Sequence, residues 1–368
     1  MKEVAGRIQS CLRDMDTVAR FGGDEFTVLL PLIARPDDAL KTTDKIKKVL
    51  RKPFAIGAHE IEVTASVGIS VFPEDGENPE TLLKNADSAM YYAKDQGRNN
   101  YQFFNSALNL RTLERFLFEN RLRRAVEQRE LILHYQPQIN LRTKRIIGAE
   151  ALVRWDHPEL GLLEPLRFVP LAEETGLLTR IDQWVMRTAC EQFGKWQQAG
   201  YPLEFITMNL SARQFQQPDL AERVTEILRK TELHPSCLGI EITETLAMRD
   251  TDLTARNLSS LGELGVWFSI DDFGTGYSSL SRLKKLPIHK LKIDKSFVFD
   301  LLADPDYQAI VDAIIAMAHM LKLTVVAEGV ETEDQMSFLF SRGCDEAQGN
   351  LCGKPAAAPR FDGLMTAG

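Results

Sequence analysis

Residues 266–279 read Val-Trp-Phe-Ser-Ile-Asp-Asp-Phe-Gly-Thr-Gly-Tyr-Ser-Ser. A short β-rich run at 266–270 closes on two consecutive acids, Asp271 and Asp272, and then breaks into glycine and hydroxyl side chains. Aromatic and β-branched residues in such a run describe a buried strand, and glycine punctuates its end. The two carboxylates therefore stand where the chain leaves a sheet. The glycine- and serine-rich segment behind them reads as a loop able to move over a site.

The same pattern recurs along the chain. Runs at 131–135, 145–152, 205–209, 238–242, 290–293 and 323–327, with a weaker one at 344–347, alternate with helical stretches. Together with 266–270 they predict an α/β fold, a TIM-type (β/α)8 barrel over roughly 240 residues. No short internal repeat stands out, so a solenoid is not expected.

Most of these runs end on a polar residue: Glu150, Asn209, Glu241, Asp271 with Asp272, Lys292, Glu328 and Gln348. Barrel enzymes build their sites at the C-terminal ends of strands, which would gather this series at one mouth. Taken singly, each acid could be a helix N-cap or an ion-pair partner, and Lys292 could pair with Asp294. Taken together, five carboxylates would repel one another unless cations were present. Oxygen ligands with one amide carbonyl suit Mg²⁺ or Mn²⁺, and the absence of histidine from the series argues against zinc. Two metals about 3.5–4 Å apart would serve phosphodiester hydrolysis. A lysine among the acids could hold the attacking water.

Residues 1–104 read as a smaller α/β domain, with helices at 4–12, 39–50 and 82–94 and strands at 26–30, 63–72 and 101–104. Residues 105–129 read as a connecting helix whose charges face solvent, leading into a barrel domain over 115–368. The net charge of −8 argues against a duplex nucleic-acid partner. It leaves room for a small anion held through metal ions. The five cysteines form no CxxC pair, which points to reduced thiols and a cytoplasmic chain. The N-terminus has no apolar signal core, and the most apolar helical stretch, 309–321, is short and interrupted by Asp312. Any membrane anchor would lie in sequence beyond this chain, as in a membrane-anchored sensor.

The run Glu150-Ala151-Leu152-Val153-Arg154-Trp155 resembles the signature of EAL-domain phosphodiesterases. Further matching blocks are Tyr135-Gln136-Pro137, Asn209-Leu210-Ser211, Glu241-Ile242-Thr243-Glu244, Asp271 to Gly276, Leu291-Lys292-Ile293-Asp294, Ala327-Glu328-Gly329-Val330-Glu331 and Gln348-Gly349. The resemblance covers about residues 115 to 360. It implies a barrel whose first strand is antiparallel to the rest, and hydrolysis of cyclic di-GMP to linear pGpG. It implies two cations per site, Mg²⁺ or Mn²⁺, one held by Glu150, Asn209, Glu241 and Asp271, the other by Asp271, Asp272 and Glu328. Lys292 would position or deprotonate the attacking water, and Glu244 would brace the Asp-Asp loop. Gln136, Leu152, Arg154, Asp294 and Gln348 would form the ligand-binding set. A homodimer through the barrel is implied as well. One departure follows Gln348-Gly349, where the family usually has an aromatic residue and this chain has Asn350.

The N-terminal part resembles GGDEF diguanylate cyclase domains through Arg20-Phe21-Gly22-Gly23-Asp24-Glu25-Phe26 and, later, Ala93-Lys94 and Gly97-Arg98-Asn99. That resemblance implies metal binding by Glu25, phosphate contacts from Lys94 and Arg98, and a product-inhibition site at Arg13 and Asp16. The family's first strand, with its metal-binding Asp, has no counterpart before Arg13, so no cyclase activity is expected of this chain. The reading that competes with a phosphodiesterase is a silent cyclic di-GMP receptor. A third, compatible reading is an N-terminal remnant that binds nucleotide and regulates the barrel.

Overall fold

The computed structural model describes residues 1–56, 59–248, 252–275 and 280–366. The chain forms two compact units, Met1–Asn120 and Arg121–Gly368.

In the first unit, helices α1 (Lys2–Gln9), α2 (Asp37–Leu50) and α3 (Pro79–Asp95) accompany three two-stranded sheets. Strands β1 (Thr17–Gly22) and β2 (Glu25–Leu29) form one antiparallel hairpin, and β3 (Phe54–Ile56) and β4 (His59–Ile61) another. Strands β5 (Val67–Ile69) and β6 (Tyr101–Phe103) pair in parallel. Ile8, Ile46, Leu50 and Phe54 make one small core, and Ala39, Ile69 and Val71 a second. The strand expected over 63–72 is only three residues long. Its partner β6 has only three residues, and a ladder extends no further than its paired neighbour. The connecting helix α4 runs over Ser106–Ala125, ending short of the expected residue 129.

The second unit is the expected barrel. Strands β7 (Leu131–Asn140), β8 (Ile146–His157), β10 (Phe205–Asn209), β11 (Leu238–Thr243), β12 (Trp267–Phe273), β13 (Ile288–Ile293), β14 (Thr324–Ala327) and β15 (Glu346–Gln348) make a ring closed by pairing of β10 with β8. Strand β7 is antiparallel to both its neighbours, β15 and β8, and the remaining barrel pairs are parallel. A short strand not anticipated from sequence, β9 (Gly161–Leu163), adds to the outer end of β8. Helices α5 (Pro165–Thr175), α6 (Leu178–Gln198), α7 (Ala212–Phe215), α8 (Leu220–Thr231), α9 (Glu244–Ala247), α10 (Asp252–Leu264), α11 (Leu280–Leu283), α12 (Lys295–Phe299), α13 (Pro305–Met320), α14 (Glu333–Ser341) and α15 (Ala358–Thr366) complete it. Among the described residues no helix is long and apolar enough to cross a membrane.

Strand alternation decides which side chains reach the lumen. Ile206, Met208, Leu238, Ile240, Ile242, Phe268, Ile270, Leu291, Ile293 and Val325 are buried between sheet and helices. Helix α6 meets that layer with Ile181, Val185, Met186, Ala189, Phe193 and Trp196, a repeat of three and four residues that lines one helix face. Each large side chain buried this way stabilises the unit by about 1.5–3 kcal/mol. The intervening strand positions, Gly148, Glu150, Thr207, Gly239, Glu241, Ser269, Lys290, Lys292, Glu346 and Gln348, are polar or glycine. Apart from Phe205 and Trp267 at the strand starts, period two thus sends hydrophobic residues outward and chemistry inward.

Candidate active site

The N-terminal ends of the strands form a packed floor. Phe205 and Trp267 meet edge to face at 5.1 Å. Lys290 Nζ lies 3.8 and 4.8 Å from their ring centroids and bonds both carboxylate oxygens of Glu346 at 2.7 and 2.6 Å. Glycines make room for the rings: a Cβ on Gly148 would lie 2.1 Å from Phe205, and one on Gly239 2.4 Å from Trp267.

Above the floor, Lys292 is 1% exposed and faces four carboxylates. Its ammonium touches Glu241 Oε2 most closely, then Glu328 Oε1 at 2.6 Å, Asp271 Oδ1 at 3.1 Å and Glu150 Oε2 at 3.6 Å. Burial alone would lower the lysine's pKa, but these acids hold it well above its ordinary value. Lys292 therefore carries its proton and pairs with the strand-end acids, not with Asp294. Burial, followed by Glu150, pushes the Glu241 carboxyl up to about 8. Burial also drives Glu328 upward against the pull of Lys292.

In a regular strand Asp271 and Asp272 would point to opposite faces. Here the β12–β13 register shifts between Ile270 and Phe273, and Asp272 adopts φ 54°. This left-handed conformation, uncommon outside glycine but tolerated by Asp, re-aims the second carboxylate. Ligand oxygens of Asp271, Asp272 and Glu328 consequently lie within 4.8 Å of one another. Burial, then Asp271, raises Asp272 to about 6, and its side chain shares a hydrogen bond with Asp294. Asp294 also caps α12, accepting from the Ser296 N–H at 2.9 Å and from its hydroxyl. Despite partial burial, those Ser296 bonds hold Asp294 below the usual carboxylate range.

Glu150 is held by amides on both oxygens. Asn209 Nδ2 donates to Oε1 at 2.7 Å and Gln348 Nε2 to Oε2 at 2.6 Å. Gln348 Nε2 also donates to Gln136 Oε1 at 3.0 Å, and Gln136 Nε2 donates to the Gly353 carbonyl at 3.2 Å. Glu244, at the start of α9, accepts from the Gly274 N–H at 3.0 Å. Gly274 has φ 100°, and a Cβ there would lie 2.8 Å from the Phe297 ring, so the turn after the twin acids requires glycine. Gly276, Tyr277, Ser278 and Ser279 of that loop lie outside the described residues. Arg154 and Leu152 share the Glu150 face of β8 by alternation. Arg154 is 8% exposed, donates to the Val153 carbonyl at 2.9 Å and feels the charges of Glu164 and Glu150. Asn350, at the unusual position, donates to Glu331 Oε1 at 3.0 Å.

The donor set fits divalent cations. One ammonium faces four carboxylates, with Asp272 a fifth acid beside them, so the cluster stays negative when all are ionised. Buried Glu241 Oε1 accepts no hydrogen bond among the described residues, and Asp271 Oδ1 meets only the Lys292 ammonium, at 3.1 Å. Carboxylate oxygens and one amide are ligands for hard ions.

Three features were not foreseen from sequence. Gln138 lies two residues from Gln136 on the same strand face and bonds Gln348. Lys290 and Glu346 lie two residues before Lys292 and Gln348, so period two could have found them. Asp182 on α6, by contrast, carries no local signal. It is 7% exposed and accepts from Ser211 Oγ at 2.5 Å and Ser211 N–H at 3.4 Å, anchoring the turn that follows Asn209. Burial raises its carboxyl to about 6.

In the first unit, Gly22, Gly23, Asp24 and Glu25 form the exposed β1–β2 turn, with the Arg20 guanidinium bonded to the Gly23 carbonyl at 2.6 and 3.0 Å. Lys94 lies in the last turn of α3, and Arg98 follows in a left-handed turn, φ 57°. Among the described residues no hydrogen bond or ion pair joins either to that hairpin. The Arg13 N–H donates to Asp16 Oδ2 at 2.8 Å, and both residues line a cavity of about 410 Å³ with Leu30, Ile33 and Asp38.

Residues 119–355 match the family described as EAL domain, and residues 1–100 match Diguanylate cyclase, GGDEF domain. The bifunctional diguanylate cyclase/cyclic di-GMP phosphodiesterase MucR of Pseudomonas aeruginosa is 47% identical over 359 residues, 98% of this chain and 52% of MucR. The cyclic di-GMP phosphodiesterase NbdA of the same organism is 43% identical over 367 residues, 100% of this chain and 47% of NbdA. The chain thus spans about half the length of these curated relatives. The solved structure described as PaMucR phosphodiesterase, c-di-GMP complex, superposes with a TM-score of 0.64 at 48% identity, covering 66% of this chain and 98% of that one.

Proposed function

The chain belongs to the EAL-domain family, and from that premise we propose that its barrel hydrolyses cyclic di-GMP to linear pGpG with the help of two divalent cations, Mg²⁺ or Mn²⁺. The observation that carries this reading is the convergence of Glu150, Glu241, Asp271 and Glu328, from four different strands, on one buried ammonium.

Glu150, Asn209, Glu241 and Asp271 would hold one cation, and Asp271, Asp272 and Glu328 the other. When bound, such a pair supplies an activated water and charge stabilisation for the leaving oxygen. The chain's own residues prepare that chemistry. Lys292, protonated, donates hydrogen bonds from Nζ, so orienting the nucleophilic water is the role its charge supports. The hydrogen bond shared by Asp272 and Asp294 ties the second acid of the pair to the start of α12. Arg154 offers a guanidinium for a phosphate oxygen. Glu244 fixes the turn after the twin acids through the Gly274 N–H. Asn209 and Gln348 each hold one oxygen of Glu150 by a hydrogen bond.

A silent receptor would not need five acids held in register by a bulge and two amides. Chromatography of products after incubating the protein with cyclic di-GMP and Mg²⁺ or Mn²⁺ tests the proposal. Metal-dependent appearance of pGpG is expected. Tight binding of intact cyclic di-GMP with no product would overturn it in favour of the receptor. A homodimer through the barrel, the other implied partner, is tested by light scattering at several concentrations.

A further inference from the structure

Gln138 is 1% exposed and lies one layer below the acids, opposite Gln348 in the β7–β15 ladder. Its Nε2 donates to Gln348 Oε1 at 3.0 Å and approaches Thr207 Oγ1 at 3.4 Å. Gln348 Nε2 in turn donates to Glu150 Oε2 at 2.6 Å and to Gln136 Oε1 at 3.0 Å.

An amide has two unlike ends, and side-chain rotation by half a turn exchanges them at little steric cost. Gln348 in the wrong orientation would press its carbonyl oxygen against the Glu150 carboxylate. Two acceptors at that separation repel, and Glu150 would lose one of the two amide donors that hold it. The productive orientation is selected from both ends of Gln348, by the Glu150 carboxylate on its nitrogen and by the group facing its oxygen. Gln138 presents a donor there, which only the Gln348 oxygen can accept. The nitrogen is thereby directed upward to Glu150 and Gln136. We propose that Gln138 is a positioning residue that locks the Gln348 amide, and through it Glu150, in the orientation the reaction uses. It touches neither the substrate nor the acids; it acts only through Gln348. The inference rests on the phosphodiesterase reading for its effect on rate, but the lock itself also bears on metal affinity.

The test is a double-mutant cycle of Gln138→Leu and Gln348→Leu, read by pGpG formation and by calorimetric titration with Mg²⁺. Losing the lock is expected to lower kcat about ten-fold, the equivalent of one hydrogen bond at a charged group, and to weaken Mg²⁺ several-fold. Gln348→Leu is expected to lower both at least as far, and the double variant to match Gln348→Leu alone. Independent, multiplying losses would overturn the proposal, as would a Gln138→Leu protein indistinguishable from wild type. Gln138→Met, closer in length, replaces the leucine variant if that one does not fold. Should wild type yield no pGpG, the reaction reading fails, while the Mg²⁺ cycle still decides the role of Gln138.

Discussion

At the β1–β2 turn, Asp24 and Glu25 stand in solvent, and Arg20 bonds the Gly23 backbone beside them. At the end of β12, Asp271 and Asp272 are also adjacent acids beside glycine, but a bulge turns both toward a cluster of buried charges. The two regions use the same residue types and differ in enclosure. In solvent, screening keeps neighbouring charges nearly independent. Inside the barrel a low effective dielectric couples them, so each acid's protonation depends on the others and on Lys292. A motif supplies ligands; a closed ring of strands supplies the coupling that makes them a reactive group.

The sharpest way to break this contrast is activity. Glu150→Ala removes a proposed metal ligand and the acceptor of two amides, and is expected to lower cyclic di-GMP turnover about a thousand-fold or more. Glu25→Ala, in the exposed turn, is expected to leave turnover within about two-fold. Comparable losses in a steady-state assay would mean that the two regions share one function. Removing divalent ions with EDTA should likewise abolish turnover, and Mg²⁺ or Mn²⁺ should restore it.

Stability gives the next largest effect. Lys292→Met leaves four carboxylates facing one another without their cation and should cost about 3–5 kcal/mol in urea denaturation of the metal-free protein. Lys94→Met, at the end of α3, should cost at most about 0.5 kcal/mol. A small Lys292 effect would mean that the acids relax by taking up protons.

A subtler test uses Asp182. Its folded pKa of about 6 lies above the unfolded value near 4, so the folded state binds the extra proton between these limits. Stability should therefore fall as pH rises from about 4 to 6, by up to about 3 kcal/mol from this group, and then level off. Asp182→Asn should remove that slope while keeping an oxygen for Ser211. Thermal melts of both proteins across this range sharpen the contrast if the difference appears, and break it if the curves stay parallel.

Much of the barrel was legible in sequence because its strands are buried and separated by regular helices, so apolar runs and their polar ends stand out. The acids, Asn209, Lys292 and Gln348 could be placed because they end such runs. The first unit was less legible: its strands are short, half exposed and limited by their partners, as the three-residue β5 shows against the longer alternation at 63–72. The bulge at Asp271–Asp272 was not readable, since it is a backbone property, though it decides that both acids serve one site. Gln138, Lys290 and Glu346 were within reach of period two counted inward from known positions. Asp182 was not, because its partnership with Ser211 joins segments 29 residues apart.

The packed base of the lumen, where Lys290 sits between Phe205, Trp267 and Glu346, makes the mouth the shared route for traffic. On the proposed reading, ions held among the acids would have to arrive before a dinucleotide covers them, and would have no exit through the packed base while it stays. Under the proposed function, loading would then be ordered by architecture: cations first, ligand second, with release in reverse. An occupant that resists cleavage would slow metal exchange without touching a single metal-ligand bond.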